Sequence, residues 1–187
     1  MLDDFVFDSR GNLLISHFKM TKSGVYYLSG SDHTNEEVFV ENLSTPNGVC
    51  LSLNGQVVWV SKNSMNTVLR IAPSLINDIA VPKIVVVFRS NGTVRLDSNK
   101  VDPLRNLYKT IFGKGRLVVI NSKLLSIANL LIPSREKRNH PRTNNLAITF
   151  WNKKTRCLGL RRERCIGFLV KKYVGKRLGL YYDRNTE

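Results

Sequence analysis

Apolar residues in this chain come in short runs rich in Val, Ile, Leu and aromatic side chains, bounded by Gly, Asn, Ser and Pro. Runs of this kind read as strands joined by tight turns. No segment sustains a 3.6-residue apolar period with caps at its ends, so little helix is expected. One strand-turn-strand unit recurs. Phe7-Asp8-Ser9-Arg10-Gly11-Asn12-Leu13-Leu14-Ile15 has the form of Leu51-Ser52-Leu53-Asn54-Gly55-Gln56-Val57-Val58-Trp59 and, more weakly, of Val101-Asp102-Pro103-Leu104-Arg105-Asn106-Leu107-Tyr108. A further strand follows each unit, at 24–28, 67–71 and 115–120.

Anchored on Asp8, Ser52 and Asp102, the repeat has periods of 44 and 50 residues. That is the span of one four-stranded propeller blade. A β-sandwich of unrelated hairpins would also contain short strands, but it gives no reason for one turn to return at near-constant spacing. The expected fold is therefore all-β, with about three blades of an incomplete β-propeller.

Five residues before each anchor stands an oxygen-bearing side chain: Asp3, Asn47 and Asp97. Alone, any of them is an ordinary turn former. Their shared offset matters because equivalent positions of successive blades are related by rotation about the propeller axis and converge on it. Two carboxylates and an amide carbonyl make a hard, all-oxygen set suited to calcium or another hard divalent cation, and ill suited to zinc.

The residues that carry this pattern also resemble a known family. Asp3-Asp4-Phe5-Val6-Phe7-Asp8-Ser9, Gly24-Val25-Tyr26-Tyr27, Pro46-Asn47-Gly48-Val49, Val58-Trp59-Val60 and Leu69-Arg70-Ile71 are similar to middle blades of the calcium-dependent lactonases in the senescence-marker-protein and gluconolactonase family. Asp97-Ser98, Asn106-Leu107-Tyr108, Gly113-Lys114-Gly115-Arg116 and Leu131-Ile132-Pro133 resemble the blade that follows. The resemblance runs from Asp3 to about Ile148 and is that of the C-terminal part of such a protein. It implies a six-bladed propeller with calcium at one end of its channel, hydrolysing a small lactone. Asn47 falls on the family's Asn ligand, Asp97 on its metal-binding and proton-transferring Asp, Ser98 on the Ser beside it, and Asp3 on the ligand from the preceding blade, with Asp4 as the alternative. The family also takes a Glu from its first blade, which has no counterpart here. His17 replaces a usual Asp, Arg95-Leu96 replaces a Gly-Pro, and Arg105 and Lys109 interrupt the third hairpin.

Composition adds a second theme. The 187 residues are 42% hydrophobic and 23% charged, which is globular, and the formal charge is +15. From residue 134 to 187 there are 15 Lys and Arg against 4 Asp and Glu, whereas residues 1–133 hold 14 against 10. The expected division is thus a partial propeller over 1–150 and a basic tail over 151–187. With Phe168, Tyr173, Tyr181 and Tyr182 among its charges, that tail has the means for nonspecific nucleic-acid or anionic-surface binding. Glycines at 159, 167, 175 and 179 argue against a continuous amphipathic helix there.

Other chemistry finds little support. Cys50, Cys157 and Cys165 form no Cys-x-x-Cys pair, and His17, His33 and His140 share no metal-ligand spacing. No Gly-x-Ser-x-Gly or phosphate-binding Gly loop is present. No run is long enough to span a membrane as a helix and no leader pattern is visible, so a cytoplasmic location is expected. Two functions follow. The first is a calcium-dependent lactonase with little activity alone, whose missing blades a separate chain could supply. The alternative is a non-catalytic propeller remnant or interaction protein with a basic, anion-binding tail.

Overall fold

The computed structural model describes residues 2–18, 22–76, 79–92, 95–131, 145–151, 154–160, 165–170 and 180–181. Among them there is no helix. The strands form four antiparallel sheets of four, each in chain order. The first holds β1 (Leu2–Phe7), β2 (Leu13–His17), β3 (Gly24–Ser29) and β4 (Asn35–Glu41). The second holds β5 (Pro46–Leu51), β6 (Val58–Lys62), β7 (Thr67–Ile76) and β8 (Ile79–Arg89). The third holds β9 (Arg95–Val101), β10 (Leu107–Phe112), β11 (Arg116–Ile120) and β12 (Ser126–Leu131). These are the three expected repeats. A fourth follows from β13 (Asn145–Trp151), β14 (Lys154–Leu160), β15 (Cys165–Val170) and β16 (Leu180–Tyr181), so the chain on both sides of residue 150 enters one sheet. The basic residues at 161–164 and 171–177 lie outside the described residues.

The repeated turn explains the repeated anchor. Asp8 Oδ1 accepts the main-chain N–H groups of Arg10 and Asn12 at 2.8 and 2.9 Å. Ser52 Oγ accepts Val57 N at 2.9 Å, and Asp102 Oδ1 accepts Asn106 N at 2.8 Å. Each side chain thus satisfies the donors that a tight turn leaves unpaired. The other oxygen reaches an aromatic clasp: Asp8 Oδ2 accepts the hydroxyl of Tyr27 at 2.9 Å, and Asp102 Oδ2 that of Tyr108 at 3.1 Å. Asn121 plays the same part between β11 and β12, where its Oδ1 accepts Lys123 N and Leu125 N at 3.0 Å. One residue per turn has a left-handed backbone: Gly11 (φ 84°), Gly55 (φ 68°), Arg105 (φ 63°) and Leu124 (φ 65°). The third hairpin therefore forms although its turn lacks the glycine of the first two.

Alternation along the strands sends the two faces of the second sheet, and those of the third, into two different cores. Val58 and Val60 of β6 join Leu14, Val25, Val49 and Ile71 between the first and second sheets. Leu107 and Ile111 of β10 join Val68, Leu96, Val118 and Ile120 between the second and third. Leu117 and Val119 join Tyr108, Leu130 and Leu146 between the third and fourth. The inner strands β1, β5, β9 and β13 lie side by side in that order. This is propeller architecture with an incomplete ring, as the repeat predicts.

Candidate active site

Each of the first three inner strands breaks register with its neighbour at one place, and those places are the expected ligand positions. In β1, Leu2 pairs with His17 and Asp4 with Ser16, which leaves Asp3 as an extra residue. In β5, Pro46 pairs with Lys62 and Val49 with Val60, so Asn47 and Gly48 together stand opposite Ser61. In β9, Leu96 pairs with Ile111 and Asn99 with Lys109, so Asp97 and Ser98 stand opposite Thr110. A bulge of this kind bends its strand and re-aims a side chain out of the regular pleat.

A buried hydroxyl lies across from every bulge: Ser16, Ser61 and Thr110. Ser16 Oγ accepts Asp4 N at 3.0 Å. Ser61 Oγ lies 2.9 Å from both Asp97 O and Asn99 Oδ1, and Thr110 Oγ1 donates to Ser98 O at 3.2 Å. Asn99 Nδ2 in turn donates to Gly48 O at 2.9 Å. These residues escaped the reading of the sequence, yet they carry a signal, because they follow the anchors Asp8, Ser52 and Asp102 by 8, 9 and 8 residues.

The bulged ends meet closely. A Cβ on Gly48 would stand 2.7 Å from Ser98 Cα and 2.8 Å from Asn99 N, so only glycine lets β5 approach β9 at this point. That contact brings the bulge of β5 against the bulge of β9. On the other flank, Asp4 Oδ2 accepts Val49 N at 3.1 Å and lies 3.9 Å from Lys100 Nζ. Asp4 is thereby committed to tying β1 to β5, whereas Asp3 is exposed.

The electrostatics couple the three strands. Burial raises the Asp97 carboxyl above the usual carboxylate range; Lys109 opposes the shift, while the negative charges of Asp3 and Asp4 add to it. Asp3 is raised too, by partial loss of solvent around an otherwise exposed residue, with Asp4 contributing. The charge of Asp3 thus reaches Asp97. Lys109, with no exposed surface, donates from Nζ to Ser61 Oγ, to Asp97 O and, at 3.3 Å, to Ser98 O. Burial lowers its pKa and Asp97 counteracts this. Among the described residues, no three His, Cys, Asp or Glu side chains stand together as a metal cluster. The expected positions Asp3, Asn47, Asp97 and Ser98 include an amide and a hydroxyl. The repulsion of Asp97 by Asp3 and Asp4, which Lys109 opposes, is what a hard cation would neutralise.

No protein-family model matches the chain. It is 33% identical over 163 residues to the lactonase drp35 of Staphylococcus haemolyticus, covering 79% of this chain and 49% of that protein. It is 32% identical over 164 residues to the lactonase drp35 of Staphylococcus aureus strain MRSA252, with the same coverage. The chain belongs to the senescence-marker-protein and gluconolactonase family. It spans about half the length of the curated relatives it matches. Solved structures share the fold of this lactonase relative. Regucalcin of Agrobacterium tumefaciens strain C58, a calcium-binding protein, superposes with a TM-score of 0.66 at 18% identity, over 84% of this chain and 52% of that one. Virginiamycin B lyase of Staphylococcus aureus gives 0.63 at 14%, over 99% and 56%.

Proposed function

We propose that the chain is part of a calcium-dependent lactonase that opens a small lactone ring at the bulged ends of β1, β5 and β9, with little turnover by the chain alone. The observation that carries this reading is the coincidence of three bulges with Asp3, Asn47 and Asp97–Ser98. Bulges concentrate where a strand must present a side chain to a ligand. Asp3, Asn47, Asp97 and Ser98 would hold the ion, which when bound supplies polarisation of the lactone carbonyl and a more acidic water. Asp97 is the proton carrier. Its carboxylate accepts a proton as water oxygen bonds to the carbonyl carbon, and it returns that proton to the ring oxygen as the ester C–O bond breaks. Asn47 and Ser98 orient the carbonyl, and Gly48 fixes their spacing.

Low turnover follows from the donor count. Four protein groups, with no glutamate from a further blade, fall short of the six to eight oxygens calcium takes, and ligands on an unclosed ring are held less rigidly. The test is hydrolysis of a panel of small lactones by the purified chain, with Asp97→Asn as control and with calcium removed by chelation. Weak turnover lost in both controls is expected. Turnover indifferent to Asp97 would place the chemistry elsewhere.

A further inference from the structure

One of the positions that the repeat makes apolar is charged. Residue 109 of β10 precedes the buried hydroxyl opposite its bulge, as Ile15 precedes Ser16 in β2 and Val60 precedes Ser61 in β6. Its companions on the same face of β10, Leu107 and Ile111, are buried in the core between the second and third sheets. The pattern asks for an aliphatic residue here, and the chain supplies Lys109, fully buried.

A buried ammonium is costly unless acceptors and negative charge surround it. The site provides both. Its protons go to Ser61 Oγ, Asp97 O and Ser98 O. Burial lowers its pKa; Asp97, then Cys50 and Asp4, act against that, and Lys100 adds to it. Two of its three acceptors are main-chain carbonyls of the residues expected to bind metal, the kind of oxygen that calcium also uses.

We propose that Lys109 is a tethered cation of this site, its ammonium supplying part of the positive charge that a divalent ion would bring and so keeping calcium affinity low. The inference rests on the reading of Asp3, Asn47, Asp97 and Ser98 as the oxygen set. An ion entering that set meets a fixed positive charge that is itself fully buried, and a buried charge is screened little by salt. It also finds the carbonyls of Asp97 and Ser98 already engaged.

The experiment is calcium titration calorimetry on the full chain, comparing the wild type with Lys109→Met and Lys109→Val, each alone and with Asp97→Asn. Circular dichroism confirms that every variant is folded. The wild type is expected to show no saturable binding below about millimolar calcium, at the weak end of protein sites. Both Lys109 variants should bind at least about tenfold more tightly through loss of the like charge, and Asp97→Asn should remove the gain. Tight, Asp97-dependent binding by the wild type would overturn the role of Lys109 and leave the site in place; this arm requires no Lys109 variant. Folded Lys109 variants that bind no better than the wild type would also overturn it. A gain that survives Asp97→Asn would overturn the reading of the site and the inference with it.

Discussion

The α-carbon of Gly48 packs directly on the main chain of Asp97, so closely that a single methyl group there would overlap the backbone of β9. The obstacle is main chain, which cannot swing aside as a side chain would. Gly48→Ala is therefore expected to destabilise the fold by about 2–4 kcal/mol, in the range of overpacking and backbone displacement combined. Gly11→Ala is the contrast, since nothing lies within 4 Å of its added Cβ and only its φ of 84° is at stake. Urea unfolding of the two variants should rank them in that order.

Arg105 occupies the left-handed position that Gly11 and Gly55 fill in the first two hairpins. A residue with a Cβ bears a strain there that glycine does not, partly offset by glycine's greater chain entropy when unfolded. Arg105→Gly should accordingly raise stability by about 0.5–1 kcal/mol. A thermal melt that moves downward would show that the Arg105 side chain makes a compensating contact.

Burial pushes the Asp8 carboxyl up, but hydrogen bonds from the Asn12 side chain and main chain, the Tyr27 hydroxyl and Arg10 N outweigh it and hold the group below the usual carboxylate range. A depressed folded pKa contributes stability that is present above the unfolded value of about 4 and is lost as pH falls through the folded one. Asp8→Asn should thus lower the melting temperature at neutral pH. The gap from wild type should narrow steadily below about pH 4. A gap independent of pH would assign the clasp to neutral hydrogen bonds alone.

Asp97 has the opposite sign. Its folded pKa is raised, first by burial. The folded state therefore binds more protons than the unfolded chain, and stability falls as pH rises from the unfolded value through the folded one. In a Lys109→Met background, where no buried ammonium loses its counter-charge, Asp97→Asn removes that penalty. The double variant is expected to melt higher than Lys109→Met at about pH 8, with the difference vanishing toward about pH 3. Paired melts across that range check the slope, and a double variant less stable than Lys109→Met at the alkaline end would contradict it.

Much of this was legible from spacing. The anchors Asp8, Ser52 and Asp102 repeat because each closes the same turn with its own oxygen, and local turn chemistry survives drift in the flanking strands. The candidate ligands were found through a fixed offset from those anchors. Their bulges were not, because a bulge changes register with the partner strand, which the order of residues within one strand does not express. Lys109 read as an interruption of an apolar strand. Its meaning depends on Ser61, 48 residues away, and on the carbonyls of a neighbouring strand. The fourth sheet was hidden by charge, since Lys154 and Arg156 in β14 and the Arg161, Arg162 and Arg164 that follow it obscure the alternation that marked the earlier strands.

Within each sheet, every strand pairs with the one before or after it in the chain. Among the described strands, all ladders thus join consecutive segments of the chain, and the side chains between sheets join distant ones. A nascent chain leaving the ribosome can finish the hydrogen bonding of one blade before the next has been translated, with no partner strand to await. What it must wait for is cover: the apolar face of each new blade stays wet until its successor arrives, so the interval between blades is when a chaperone would have most to hold.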